Sequence, residues 1–110
     1  MSASSTAFNA LGDPTRRAIF GKLRDRPLAV VDIADGLPVS RPAVSQHLKV
    51  LKEAKLISLR THGNKNIYEL NREGILAMRD YLDQFWDDAL ANFKLLAENT
   101  ETENNKHPNK

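Results

Sequence analysis

Hydrophobic residues recur with a helical period along most of the chain and with a strand period in one short stretch. Asp13 and Pro14 mark the start of a helix, because Asp accepts hydrogen bonds from first-turn amides and Pro fits the first helical position. This helix is predicted to run to about Arg26. The apolar residues Phe8 and Leu11 predict a shorter helix before it, which must pack on another element because it is too short to be stable alone.

Two helices joined by a short turn are predicted in the centre of the chain. Residues 32–35 have the pattern of a short helix that ends at Gly36, since glycine readily takes the left-handed conformation after a helix. Ser40 can cap a second helix that extends to about Lys55, with Pro42 tolerated in its first turn. The connection 36–39 has the length of the turn in a helix-turn-helix motif.

The second of these helices has two different faces. At 100° per residue, an apolar stripe forms on one side and a polar, partly basic face on the other. The stripe contains Val44, Leu48 and Leu51 with Lys55 at its end, and the opposite face contains Pro42, Ser45, Gln46, Lys49 and Glu53. We therefore expect the stripe to face the core and the polar residues to face outward.

A β-hairpin is predicted after this helix, over residues 57–70. Apolar and polar residues alternate from Leu56 to Thr61 and again from Asn66 to Leu70, which is typical of two strands. The residues between the strands include Gly63 and Asn64, which can supply the positive φ of a tight turn. The tip of the hairpin is polar and basic.

The last predicted helix is long and carries a continuous apolar stripe. Asn71 can cap it, and it is predicted to extend to roughly Glu98, a length of about 40 Å. The stripe consists of Ile75, Met78, Leu82, Phe85, Ala89, Phe93 and Leu96, widened by Trp86 and Leu90. The other elements cannot cover so long a stripe, so we expect it to pair with the same helix of a second copy. The alternative is that the stripe folds back on its own domain.

The expected dimer interface combines part of this stripe with the N-terminal helix. Phe8 and Leu11 can cover part of the stripe whether the chain pairs or folds back. The residues predicted at the interface are Phe8, Leu11, Met78, Leu82, Phe85, Trp86, Ala89, Leu90 and Phe93. The sequence therefore predicts a homodimer that pairs through helices at the two ends of its folded part.

Length and composition limit the class of protein. The 110 residues suit one domain, predicted over 1–98, and residues 99–110 lack aliphatic side chains and are expected to be a disordered polar tail. The absence of cysteine excludes disulfides and thiolate metal sites. Apolar runs are too short to span a membrane, and residues 1–10 lack the layout of a signal peptide, so a soluble cytoplasmic protein is expected.

Charge is distributed unevenly along the chain. Residues 13–72 contain 12 Lys and Arg against 6 Asp and Glu, whereas residues 73–103 contain 2 against 8. A basic body followed by an acidic segment fits a protein whose basic part meets a polyanion while its acidic part points away. An uneven but merely solvated surface is the alternative.

The order of elements predicts a mainly α fold with a small β-hairpin, which is a winged helix-turn-helix. In such a fold a helix fits the major groove of double-stranded DNA and the hairpin, or wing, reaches the flanking backbone or the minor groove. Ser40 and Arg41 lie at the helix N-terminus, where amides favour a phosphate. Ser45, Gln46 and Lys49 follow on the outward face and can contact base edges or phosphates. An ordinary solvated helix face is the alternative.

Four segments of the chain resemble the ArsR-type (arsenic-repressor-like) regulators. They are FNALGDPTRRAIFGKL at the start, VSRPAVSQHLKVLKEAKLI in the second central helix, RTHGNKNIYEL in the wing and the late FWDDAL. The resemblance covers about residues 6–97 and implies a homodimeric bacterial repressor paired through its first and last helices. It also implies DNA contacts by Arg41, Pro42, Ser45 and Gln46 in the helix and by Arg60, His62 and Lys65 in the wing.

The sequence departs from the family where many members bind metals. Residues 28–32 are Leu-Ala-Val-Val-Asp where those members have Leu-Cys-Val-Cys-Asp. The last helix carries Asp80, Asp83, Asp87 and Asp88 but no histidine, and a solvated acidic face explains them better than a cation site. His47 borders the apolar stripe, which suggests a packed or phosphate-facing side chain. No metal site and no cofactor are expected, and the effector is left open.

These observations lead to two functional hypotheses. The first is a sequence-specific DNA-binding regulator, most simply a homodimeric repressor on a palindromic operator with half-sites about 34 Å apart. The alternative is a winged-helix module that docks proteins through its acidic C-terminal helix. An enzyme is not indicated, since the glycines are scattered and no Ser-His-Asp set is suggested by spacing.

Overall fold

The computed structural model describes the backbone of residues 3–106 and the side chains of residues 5–99. This part of the chain consists of helices and short strands. The elements are α1 (Ala3–Ala10), α2 (Pro14–Asp25), β1 (Leu28–Ala29), α3 (Val30–Ala34), α4 (Arg41–Glu53), β2 (Ile57–His62), β3 (Lys65–Leu70) and α5 (Arg72–Lys106). This order confirms the predicted winged helix-turn-helix with a long C-terminal helix. None of the described helices is long and apolar enough to cross a membrane.

The chain divides into two compact units, Met1–Met78 and Arg79–Lys110, and the boundary between them lies within α5. The first unit holds α1–α4, the sheet and the first turns of α5, and the second is the rest of that helix. The single domain expected over 1–98 stays a prediction.

The predicted helix starts are confirmed by their caps. The Asp13 carboxylate accepts hydrogen bonds from the N–H groups of Thr15 (2.8 Å) and Arg16 (3.0 Å), and α2 begins at Pro14. The Ser40 hydroxyl oxygen accepts one from the Ala43 N–H (3.2 Å), and α4 begins at the next residue. In both cases the side chain satisfies an amide that the helix cannot pair internally.

The turn between α3 and α4 also has the predicted geometry. Gly36 follows α3 with a φ of 81°, a conformation that costs glycine little. The backbone N–H of Leu37 donates to the Ala34 carbonyl (3.1 Å), which closes the turn. These two helices and their connection therefore form the expected helix-turn-helix.

Lys55 does not extend the apolar stripe of α4, and this prediction is wrong. The helix ends at Glu53, and Lys55 lies beyond it with a φ of 66° and an exposed side chain. A residue in the left-handed region after the last turn ends a helix, so Lys55 reverses the chain toward β2. The burial of Val44, Leu48 and Leu51 on this helix agrees with the prediction.

The sheet has three strands among the described residues, in the order β1-β3-β2, where the sequence predicts two. The hairpin pairs Ile57 with Leu70 and His62 with Lys65, as an antiparallel ladder. The added strand β1 pairs antiparallel with the other edge of β3. At the turn, Gly63 has a φ of 65°, but Asn64 does not adopt the positive φ that was expected.

The core of the first unit is aliphatic. Its fully buried side chains are Ile19, Ile33, Val44, Leu48, Leu51, Leu56 and Ile57. They come from α2, α3, α4 and the start of the hairpin, so the helix-turn-helix and the wing are anchored in the same core. No polar or charged side chain is buried among the described residues.

The last helix extends further than predicted. The Asn71 side-chain oxygen accepts from the Glu73 N–H (3.1 Å), as expected of its cap, but α5 continues past Glu98 to Lys106. The predicted end near Glu98 is therefore wrong, whereas the disordered tail expected over 99–110 stays a prediction. Neither glycine nor proline occurs between Glu98 and Lys106, so each further residue adds a helical hydrogen bond. Residues 107–110 of the predicted tail lie outside the described residues.

Two helical glycines are expected to respond in opposite ways to alanine. At Gly74 a Cβ would overlap the Lys55 carbonyl, whereas at Gly21 a Cβ would have nothing within 4 Å. Gly74→Ala is expected to lower the free energy of unfolding by about 1–3 kcal/mol through overpacking. Gly21→Ala is expected to raise it by about 0.5–1 kcal/mol through better helix propensity.

Urea denaturation of the two variants and the natural protein measures both effects. Since each variant adds one methyl group, each is the control for the other. Equal stability of the natural protein and Gly74→Ala would contradict the close approach of α5 to Lys55.

Candidate nucleic-acid interface

The orientation of α4 is fixed by its buried side. Val44, Leu48 and Leu51 are fully buried in the core, and they follow one another at helical spacing. Rotating the helix would expose these side chains and bury polar ones, which is unfavourable on both counts. The polar side of α4 must therefore face away from the core.

That polar side forms an exposed surface that we call the recognition face. It consists of Arg41, Pro42, Ser45, Gln46 and Lys49, all of which are exposed as predicted. From the first to the last of these residues the helix rises about 12 Å. The major groove of DNA is about 12 Å wide, so a helix can lie in it and present such a face to several base pairs.

Ser40 has a structural task that limits its chemistry. Its hydroxyl oxygen already accepts the hydrogen bond from Ala43 that caps α4. A hydroxyl has one hydrogen to donate besides its lone pairs, and a phosphate oxygen can accept that hydrogen. Ser40 thus caps the recognition helix while its hydroxyl keeps one hydrogen that can be donated to a phosphate oxygen.

A lysine from α2 stabilises the turn before the recognition helix. The Lys22 Nζ donates to the backbone carbonyl oxygens of Ile33 (3.1 Å) and Asp35. These carbonyls belong to the C-terminal end of α3, where helical partners are missing. This contact has no sequence signal, because a lysine near the end of a helix is typically a solvated cation.

Arg16 joins α1, α2 and the recognition helix. Its Nε donates to the Ala10 carbonyl oxygen (2.6 Å), and its Nη1 lies 3.3 Å from His47 Nδ1. Arginine has no acceptor, so the imidazole nitrogen accepts this hydrogen bond. His47 is half-buried, which fits the first of the two placements that the sequence suggested, packed or phosphate-facing. The contribution of Arg16 carried no sequence signal.

The wing presents its basic residues at the end of the hairpin. His62 and Lys65 face each other in the ladder next to the turn, and both are exposed. Arg60 lies further from the tip, and its Nε is 3.1 Å from Glu69 Oε1. Its charge is therefore partly balanced on the wing itself, while the two tip residues stand beside no such partner in the ladder.

The predicted dimer residues are divided between the two units. Phe8, Leu11 and Met78 belong to the first unit, where Leu11 and Met78 pack against the core. Leu82, Phe85, Trp86, Ala89, Leu90 and Phe93 belong to the second, and all except Ala89 are exposed there. The rings of Phe85 and Trp86 meet edge to face, with centroids 5.7 Å apart. Such a stripe of large apolar side chains is unusual on a surface that faces only water.

No group of three or more His, Cys, Asp or Glu side chains in the described part of the chain is arranged to hold a metal ion. The four aspartates of the last helix are all exposed, and Gln84 donates to Asp88 (3.2 Å). They lie along a solvated face of α5.

Comparison with known proteins identifies the family. A helix-turn-helix domain family matches residues 11–60. The HTH-type transcriptional regulator Rv2034 of Mycobacterium tuberculosis is 52% identical over 90 residues, 82% of this chain and 84% of that protein. The arsenical resistance operon repressor of Staphylococcus xylosus is 35% identical over 83 residues, 76% of each chain. The solved structure of an ArsR-like transcriptional regulator from Rhodococcus sp. RHA1 has a TM-score of 0.73 at 28% identity, covering 86% of this chain and 92% of that one.

The fold and these relatives define a winged helix-turn-helix transcriptional regulator. The chain belongs to the ArsR family. The resemblance noted in the sequence is thereby confirmed, and the family is one of regulators rather than enzymes.

Asp13 is expected to make stability depend on pH in the acid range. The hydrogen bond from the Arg16 N–H, with smaller help from Thr15 and from the Arg16 and His47 charges, holds the pKa of Asp13 below its ordinary 3.8. The pKa of Asp13 is lower in the folded protein than in the unfolded chain. The ionised Asp13 cap therefore stabilises the fold at pH values above the unfolded-state pKa, and this stabilisation is lost as the pH falls through the folded-state pKa.

The variant Asp13→Asn keeps a capping side chain but cannot titrate. Its melting temperature should therefore fall less than that of the natural protein between about pH 6 and about pH 3. Asp25→Asn, which removes an exposed carboxylate at the other end of α2, is the control. An equal fall for Asp13→Asn and the natural protein would contradict the role of this cap.

Proposed function

We propose that this protein is a homodimeric transcriptional repressor that binds a palindromic operator in double-stranded DNA. The observation that carries the proposal is the recognition face of α4, an exposed polar and basic surface on a helix whose opposite side is fully buried. The names of the relatives, a transcriptional regulator and an operon repressor, support the same function.

Each recognition-face residue has a chemistry that suits DNA. Gln46 can donate to and accept from adenine in a bidentate pair, and Arg41 can pair with guanine or with a phosphate. Ser45 can contact either kind of base edge, while Lys49 suits a phosphate or guanine. On the wing, His62 and Lys65, with Arg60 behind them, would contact the backbone beside the groove. Phosphate contacts orient the protein, and base contacts select the sequence.

Dimerisation would use the exposed apolar stripe of α5. Phe85, Trp86 and Phe93 are each more than half exposed, and a second copy of the helix would bury them. A two-fold dimer places its two recognition helices on one side of the duplex, so its half-sites lie about 34 Å apart. Phe8, Leu11 and Met78 would add to the interface from the first unit.

The simplest mechanism of repression is occlusion of a promoter by the bound dimer. With this function the protein would act in the cytoplasm, because the DNA that it binds is there. The alternative of a protein-docking module that uses the acidic face of α5 is not favoured, since the relatives are named as transcriptional regulators.

Titration of DNA from the upstream region of its own gene tests this function. Fluorescence anisotropy would be measured across a salt series and repeated with scrambled DNA and after chelator treatment. We expect tight binding that is lost on scrambling, unaffected by chelator and strongly weakened by salt, since bound counterions are released. Binding no better than to scrambled DNA would contradict an operator at this position and favour the docking module.

Two substitutions on the recognition face should separate specificity from general affinity. Gln46→Ala is expected to cost about 1–3 kcal/mol on the operator and little on scrambled DNA, because it removes a base contact. Lys49→Ala should weaken both DNAs and reduce the salt slope by about 1, because it removes a phosphate contact.

Lys94→Ala is the matched control, since it removes one positive charge from the acidic second unit. It should leave both affinities unchanged, and all three variants should dimerise normally. If Gln46→Ala binds the operator like the natural protein, the recognition face has been assigned to the wrong residues.

A single charge in the apolar stripe should prevent dimerisation. Phe93→Glu places a carboxylate where the second copy would pack, so we expect a monomer with about tenfold or greater loss of operator affinity. Ala91→Glu adds the same charge on the opposite side of α5 and should remain dimeric. Sedimentation velocity measures both. A dimeric Phe93→Glu variant would show that the interface lies elsewhere.

A further inference from the structure

An apolar cavity of about 380 Å³ lies beside α2 in the first unit. Its apolar walls are Leu11 after α1, Phe20 of α2, Leu70 at the end of β3 and Ile75 in the first turns of α5. The cavity therefore touches the base of the wing and the helix that carries Arg16. Its volume is at the small end of the range of small-molecule sites, which are typically apolar with few polar groups.

Gly21 lines this cavity without a side chain. It lies in the middle of α2, where glycine weakens a helix. No close neighbour demands a glycine, because a Cβ at this position would have nothing within 4 Å. An alanine would strengthen the helix, and a larger side chain would also extend into the space. Packing therefore does not require this glycine, and its lack of a side chain leaves the space beside α2 empty.

Two arginines stand on the same side of α2 as Gly21 and also line the cavity. Arg17 Nη1 donates to the Leu11 carbonyl oxygen (2.9 Å), which holds its guanidinium beside an apolar wall. Arg24 Nε is 3.5 Å from Asp25 Oδ1, but both side chains are more than 70% exposed (77% and 72%), so this ion pair is screened by water. None of the described residues that line the cavity is acidic.

We propose that this cavity is an effector site for a medium-chain carboxylate. The aliphatic chain fills the space beside Gly21 against Leu11, Phe20 and Ile75, and the carboxylate meets Arg17 and Arg24, whose guanidinium groups suit bidentate pairing. The effector role rests on the proposed DNA-binding function, whereas binding of the ligand does not. The cavity adjoins the wing and the helix that supports His47, so a ligand that binds more tightly to one arrangement of these elements changes the affinity for DNA.

Isothermal titration of the full chain with decanoate, in the absence of DNA, tests the site. We expect decanoate to bind about tenfold or more tightly than 1-decanol, which has the same chain without the charge. Equal binding of the two would exclude recognition by the arginines, and no binding of decanoate would overturn the site.

Substitutions identify the cavity as the place of binding. Gly21→Leu fills it and should abolish decanoate binding while raising the melting temperature, which shows that the variant is folded. Ala18→Leu adds the same side chain to an exposed position of α2 and should bind normally. Arg24→Gln should weaken binding about tenfold, and Arg26→Gln, two residues away, should not. Normal binding by Gly21→Leu would overturn the proposal.

The effector role is measured separately, as the change in operator affinity caused by saturating decanoate. By linkage, DNA must change the affinity for decanoate by the same factor. Binding of decanoate without any change in DNA affinity would overturn the effector role, and absence of DNA binding in every condition would contradict the proposed function instead. If decanoate does not bind and Gly21→Leu alters the dimer in sedimentation, the cavity belongs to the interface between two copies.

Discussion

The burial of three aliphatic side chains on α4 is the constraint on which the remaining structure depends. Val44, Leu48 and Leu51 are each removed completely from water. Burying a side chain of this kind contributes about 1.5–3 kcal/mol, so their sum is comparable to the whole stability of a small domain. A helix bound this firmly along one side has a single rotational setting. The exposure of Gln46 and Lys49 is a consequence of that setting and needs no interaction of its own.

Basic residues serve two purposes in the first unit, and the net charge does not distinguish them. Arg16 and Lys22 donate to backbone carbonyl oxygens, which fixes α1 and α3 relative to α2. Arg60 is paired with Glu69. The basic groups that can meet a polyanion are therefore fewer than the sequence count of residues 13–72 suggests. The remaining basic groups lie on α4 and at the wing tip, and this position favours binding to DNA.

Features set by neighbouring residues could be predicted from the sequence, and features set by distant contacts could not. Asp13 and Ser40 cap their helices by accepting hydrogen bonds from residues two or three positions away, so the starts of these helices could be predicted from the sequence. The short strand at Leu28 depends on pairing with β3 much later in the chain, and two residues carry no periodic signal. The contact between Arg16 and His47 joins two helices, and the end of α5 lacked any breaker residue to mark it.

The two helical glycines show why a residue type alone does not reveal its task. Gly74 is required by close packing, because the Lys55 carbonyl occupies the place of a side chain. A Cβ at Gly21 would have nothing within 4 Å, so packing would allow an alanine there. Glycine weakens a helix and packing does not require Gly21, so a ligand bound in the space beside it would give this residue a purpose. The residues around that space combine apolar walls with two cations, and this combination is suited to a molecule with an apolar body and one negative charge.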